Sequence, residues 1–365
     1  MKHTIRIALT TTTILVPFLQ KKTYSTFELR LVKKLTTKTM RYFILCITTI
    51  ATISVAAQTS KPTDPLAHTF SIVARDAKTG EMAVAVQSHW FSVGTGVSWG
   101  EAGVGVVATQ SFTNKSFGLR GLALLKQGKS PQEALDILLS DDTGKDFRQV
   151  AILDKLGRVA THTGKTCIDV AGHANGENFS VQANMMLNDK VVPAMEKTWK
   201  ENSALPLAER LVAVLKAAQQ AGGDIRGKQS AALIIVAPEA TATPWNDKLL
   251  DLRVDDAIEP IQEIERLLKV YRAYEHMNKG DYYVEKNEMQ SAMDEYNKAM
   301  KMFPDNLEMQ YWTAITLANG KEVSKASTML QSIYKKDGNW RELTKRLPKV
   351  GLLTVPEKDL KELLR

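Results

Sequence analysis

The chain has 365 residues, 44% of them hydrophobic and 24% charged. That is enough apolar material to bury a sizeable core, and by length it holds one large or two ordinary domains, so a disordered chain is excluded as the default. The net charge of +8 is confined to the start: nine Lys and Arg face one acid in residues 1–41, leaving 39 bases and 39 acids beyond. A body so balanced excludes nucleic acid as the partner that a basic chain would otherwise imply.

In chain order, Met40-Arg41 is followed by an apolar run, Tyr42 to Val55, and by small residues ending at Ala57. This is the pattern of a secretory signal peptide and is too short for a comfortable membrane span. The expected organisation is a leader over 1–57, in which 39 upstream residues precede a signal at 40–57. The alternative is a longer targeting leader with a second apolar patch, Ile7 to Leu19. Cys46 follows Leu45 rather than a small residue, which speaks against lipid attachment. An exported location, periplasmic or secreted, is expected, with no stable membrane span after signal cleavage. Only Cys167 then remains, so no internal disulfide forms. Residues 58–67, with two prolines and few apolar residues, read as a tether.

Thr69 to Asp76 and Glu81 to Ser88 are β-rich runs joined by Ala-Lys-Thr-Gly80, a hairpin signature. Strands are expected over Val93 to Trp99 and Gly103 to Ser111. Helices follow at Gly118 to Gln127 and Ser130 to Leu139, the second opening with a Ser130-Pro131 cap and Glu133 at its third position. Phe147 to Asp154 and Arg158 to Thr163 form another hairpin, and Phe179 to Asn184 is a strand. Asp189 to Asn202 and Pro206 to Ala221 are helical, and Gln229 to Val236 and Leu249 to Val254 are strands. Antiparallel hairpins with grouped helices describe an α+β layered domain, not a doubly wound sheet.

From about Glu259 the pattern is helical to the end. Gly280, Tyr283, Ala292, Tyr296, Ala299 and Pro304 fall at tetratricopeptide spacing, and Ala314, Leu317, Ala326 and Leu330 follow it less closely. Arrays of this kind need about three repeats, so the tail packs on the preceding domain or uses Ile261, Ile264 and Leu268 of an Ile258 to Tyr274 helix as a third element. Such a tail either docks a protein partner or serves as a structural cap.

The histidines His68, His89, His162, His173 and His276 are scattered, without metal-ligand spacing or a Cys pair, so neither a metal nor another cofactor is expected. A thiol mechanism would pair Cys167 with His162 or His173; burial of a small Cys in the core is the simpler role. In Gly222-Gly-Asp224-Ile-Arg226-Gly-Lys-Gln229-Ser230, glycines, an acid and an Arg precede an apolar strand, a place for backbone amides to face a ligand and for Arg226 to clamp a carboxylate. The same residues can form a helix-capping turn with Asp224 and Arg226 paired. Asn184, after Gln182, can donate to an oxyanion or cap a turn.

Taken together, His68 to Asp76, Gly103-Val-Gly-Val-Val-Ala-Thr-Gln110, Gly118 to Leu125, Thr163 to His173, Gln182-Ala-Asn184, Gly222 to Ser230 and Asp251 to Asp256 resemble the domain of unknown function 1028 family over about 190 residues. That family resembles N-terminal-nucleophile hydrolases. The resemblance implies a four-layer αββα domain over 68–257; the spacing above makes 258–365 the α-helical tetratricopeptide-like region that follows it. It also implies a hydrolase of amide or related C–N bonds in a small polar compound or peptide, which the signal-peptide pattern would export.

In such hydrolases the residue opening the first strand attacks, and its free α-amine, with a pKa of roughly 7.7–8.0, acts as base. Thr69 stands there, with Asn184 and Asp224 as further catalytic candidates and Ser88, His173, Arg226 and Gln229 as substrate-binding ones. Signal cleavage near Ala57 would leave Gln58 to His68 ahead of Thr69. The mechanism therefore needs a second cut between His68 and Thr69, or else Ser71 or Ser88 must act with His89 or His173 as base. The rival expectation is a non-catalytic ligand-binding module with a partner-docking helical tail. A homo-oligomer is compatible with either.

Overall fold

The computed structural model describes the strand Leu66–Ala67 and residues 69–365; the leader and tether assignments up to residue 65 lie outside the described residues. Two antiparallel sheets organise the first part. One contains β1 (Leu66–Ala67), β4 (Ser98–Glu101), β5 (Gly105–Phe112), β6 (Arg148–Asp154) and β7 (Val159–Thr163). Its order is β1-β5-β6-β7, with β4 also on β5. The other contains β2 (Thr69–Arg75), β3 (Met82–Ser88), β8 (Gly172–Gly176), β9 (Phe179–Ala183), β10 (Ser230–Val236) and β11 (Lys248–Val254), in the order β11-β10-β3-β2-β9-β8. Gly80 turns the β2–β3 hairpin at φ +77°, a value that costs glycine nothing.

Alternation along each strand decides what lies between the sheets. Val73, Val84 and Val86 meet Val106, Ala108, Ala151 and Leu153 there. The opposite faces carry helices. On β5 and β6, Val107, Val150 and Ile152 pack under α2 (Ser116–Lys126) and α3 (Pro131–Ser140). On the second sheet, Phe70, Ile72, Ala85 and Leu233 pack under α4 (Val191–Glu201) and α5 (Leu207–Gln220). The capping box expected at Ser130 is present: Ser130 Oγ accepts from Glu133 N, and Glu133 Oε2 accepts from Ser130 N.

The expectation for Val93 to Trp99 is corrected, and a strand with little sequence signal appears. Val93 to Trp99 is not one strand: Gly94–Val97 forms a single helical turn, α1, before β4. A Cβ on Gly94 would lie 2.6 Å from the Ala232 Cβ, so this glycine lets the turn press against β10, where strand-like spacing had been read. Gly172–Gly176, in contrast, is a strand without strand-forming residues; pairing with β9, Ala174 opposite Val181, makes it one.

A C-terminal helical region completes the described residues: α6 (Pro260–Glu285), α7 (Met289–Met302), α8 (Leu307–Asn319), α9 (Val323–Lys336), α10 (Asn339–Arg346) and α11 (Glu357–Leu363). The expected Ile258 to Tyr274 helix does not stop at Tyr274 but runs 26 residues as α6. Its first half inserts Ile261, Ile264 and Leu268 into the core under the second sheet. Its second half packs Ala273 and Met277 with Tyr296 of α7. Tyr271 donates to Leu249 O at 2.8 Å, and Arg272 reaches Glu209 of α5 at 2.9 Å.

Candidate functional site

At one end of the sandwich the valines between the sheets give way to amides and hydroxyls. The same alternation that places Val73 between the sheets places Thr69 and Ser71 there, and both are fully buried. Ser71 Oγ donates to Gln110 Oε1 at 2.6 Å and accepts from Gln182 Nε2 at 2.6 Å. Gln110 Nε2 donates to Gln149 Oε1 at 2.7 Å. Gln149 Oε1 also accepts from Asn184 Nδ2 at 2.9 Å, while its own Nε2 reaches Thr163 Oγ1 and Ala183 O, each at 2.9 Å. Buried polar groups persist when such a network satisfies them, and this one stitches β5 and β6 to β2 and β9.

Thr69 sits at the centre of that layer. Its carbonyl accepts from the Asn184 backbone N–H at 3.1 Å and from Gln110 Nε2 at 3.3 Å. Ser88 is directly opposite on β3, and Ser230 lies beyond Ser88 on β10. The chain enters from the other sheet: Ala67 pairs with Ser111 and Leu66 with Phe112, whereas Thr69 pairs with Ser88. A single residue therefore joins a two-residue strand of one sheet to a central strand of the other.

The remaining candidates lie around this centre. His173 Nδ1 is 2.8 Å from Thr163 Oγ1, one hydrogen bond removed from Gln149. Burial, and secondarily the charge of His162, lowers its pKa from the ordinary 6.5. Asp224 is buried and bonded at two oxygens by Arg226, at 3.0 and 2.7 Å, and it accepts the His89 N–H at 3.2 Å. The acid is thereby tied to the end of β3 that carries Ser88. Gln229 acts here through its backbone, donating to Ser88 O and accepting from Ala257 N.

The structure thus brings Thr69, Ser88 and Asn184 together, links His173 through two side chains, and holds Asp224 and Arg226 to each other at the rim. Cys167 stands apart. Its thiol donates to Arg148 O at 3.4 Å, and burial pushes its pKa up, the reverse of what a nucleophilic thiol needs. His162 Nε2 instead contacts Lys145 O at 2.9 Å. Sequence reasoning did not select Gln110 and Gln149, although each is a polar residue inside an otherwise apolar strand. Their burial is what separates them from solvent-facing positions.

A family model described as a family of unknown function, DUF1028, matches residues 69–264. Among solved structures, the chain is similar to the crystal structure of protein SPO2555 from Silicibacter pomeroyi, which carries the same family model. The two share 30% sequence identity at a TM-score of 0.50, over 55% of this chain and 88% of that one. No curated protein matches.

Proposed function

The chain belongs to the DUF1028 family, and from that premise we propose that its two-sheet unit is N-terminal-nucleophile-hydrolase-like and cleaves an amide or related C–N bond in a small polar compound or peptide. Thr69 is the nucleophile. What supports the reading is where Thr69 stands: first in a central strand, facing a layer of side-chain amides, one residue after the chain leaves the other sheet. Cleavage before Thr69 would part the two-residue β1 from β2 and give Thr69 a free α-amine. That amine takes the hydroxyl proton as Thr69 Oγ1 adds to the carbonyl carbon. The C–N bond then breaks, the leaving nitrogen carries the proton away, and water hydrolyses the resulting ester. Asn184 supplies an N–H toward the developing oxyanion, and Ser88, His173, Asp224, Arg226 and Gln229 shape the approach. The protein is exported, and its helical region is tetratricopeptide-like, with Gly280 admitting the Tyr296 ring between crossing helices.

The test combines N-terminal sequencing and intact mass of the purified full chain with a screen of small amides and peptides. A species beginning at Thr69 that hydrolyses a substrate, with turnover lost at least 10³-fold in Thr69→Ala, is expected (on the order of a removed catalytic nucleophile). Activity in chains that retain β1, or in Thr69→Ala, overturns the mechanism. The second reading is a non-catalytic ligand-binding module whose helical region docks a protein. It is favoured by the full burial of Thr69 and by the pairing of β1 upstream of it. Ligand binding kept intact in Thr69→Ala, with no hydrolysis by either form, would establish it.

A further inference from the structure

Outside the two sheets, the turn after α10 combines features that neither core uses. Leu347–Val350 forms a 3-10 turn, Gly351 follows in the left-handed region at φ +73°, and buried Leu347 and Leu353 anchor the two ends. Leu352 N donates to Leu347 O at 3.2 Å, and Asn319 Nδ2 donates to Leu352 O at 3.0 Å. The turn is therefore held in one shape. Between its anchors it presents Val350 and Leu352, 69% and 52% exposed. A Cβ on Gly351 would meet nothing within 4 Å, so the turn has open space on that side.

Three cations stand around this tip. Arg346 and Lys349 flank it on the same segment, and Lys321, at the turn after α8, is brought alongside by the Asn319–Leu352 bond. All three are exposed and none forms a salt bridge among the described residues, although the Arg346 charge, after that of Lys345, helps hold the Glu342 carboxyl below its usual range. The nearby acids are already taken, Glu322 by Lys325 and Glu342 by Lys345. An exposed pair of aliphatic side chains flanked by cations fits a plane that is apolar beneath an anionic layer. A soluble acidic protein would match the cations but leave Val350 and Leu352 without an apolar counterpart.

We propose that this turn is a docking surface for an anionic lipid bilayer, with Val350 and Leu352 entering the interface and Lys321, Arg346 and Lys349 meeting lipid phosphates. The chain as a whole is balanced beyond its leader, so the effect is local. Contact is reversible, since no helix among the described residues is long and apolar enough to cross a membrane.

The test is co-sedimentation of the full chain with vesicles of phosphatidylcholine, with and without phosphatidylglycerol. Binding to the anionic vesicles alone, weakened by salt, is expected. Val350→Asp/Leu352→Asp and, separately, Arg346→Glu/Lys349→Glu should each weaken it by about tenfold or more, with unchanged thermal melts showing that the fold is intact. Equal partition to both vesicle types overturns the proposal. So does undiminished binding by Val350→Asp/Leu352→Asp, or binding to duplex DNA as tight as to the vesicles, because either outcome would reduce the patch to nonspecific electrostatics.

Discussion

His173 shows how a single side chain reports on the layer between the sheets. Burial lowers its folded pKa below 6.5, so between that folded value and 6.5 the unfolded chain binds more protons and stability rises with pH. The contribution is complete above 6.5 and is lost as pH falls from there toward the folded pKa. In a series of melts from neutral to mildly acidic pH, wild type should lose stability through this window, and His173→Gln should flatten that part of the curve. An unchanged slope in the variant would mean that His173 is not the titrating group. The rest of the layer behaves differently. Ser71, Gln110, Gln149, Gln182 and Asn184 carry no charge at any ordinary pH, so they hold the sheets in register without a proton inventory of their own. That neutrality is also why a nucleophile here needs a base from outside the network, the role that a freed α-amine at Thr69 would fill.

Among the elements, the crossing of α6 and α7 rests on one missing side chain. A Cβ at Gly280 would lie 2.2 Å from Cε1 of Tyr296, whose ring is fully buried and whose hydroxyl donates to Asp281 at 2.6 Å. Helix propensity alone favours Ala over Gly by about 1 kcal/mol, whereas overpacking of a filled site costs about 1–3 kcal/mol. Because the ring has no room to retreat, Gly280→Ala should destabilise by about 2 kcal/mol in urea titrations. A neutral or stabilised variant would show the contact to be soft. Most elements were legible in the chain because alternation marked the strands and Ser130-Pro131 marked a helix start. The exceptions have physical causes. Gly94–Val97 carries strand-like spacing, but its glycines allow a helical turn against β10, and Gly172–Gly176 becomes a strand only because β9 offers it partners. Within the candidate site, Thr69 and Ser88 were singled out through the family resemblance, and Asn184 by its place at a strand end after Gln182. Gln110 and Gln149 were not, since a polar residue in a strand ordinarily faces water, and only the second sheet buries them.

At the scale of the whole molecule, α6 belongs to two cores at once: Leu268 completes the one under the second sheet and Ala273 begins the one shared with α7. Sheets and helices should therefore unfold in one transition by circular dichroism and tryptophan fluorescence. Val270→Pro, placed between the two cores, breaks the helix at a cost of about 3 kcal/mol or more and should divide that transition in two. A persistent single step would show that the cores are joined by something other than this helix. At about 1.5 Å per residue, 26 residues make a rod of roughly 39 Å. Such a rod carries load. A pull on the far helices reaches the sheets through this helix, held there by the Tyr271–Leu249 and Arg272–Glu209 bonds and by buried Ile261, Ile264 and Leu268. A tug on the C-terminal end is thus borne by β11 and α5 before it reaches the strands that carry Thr69.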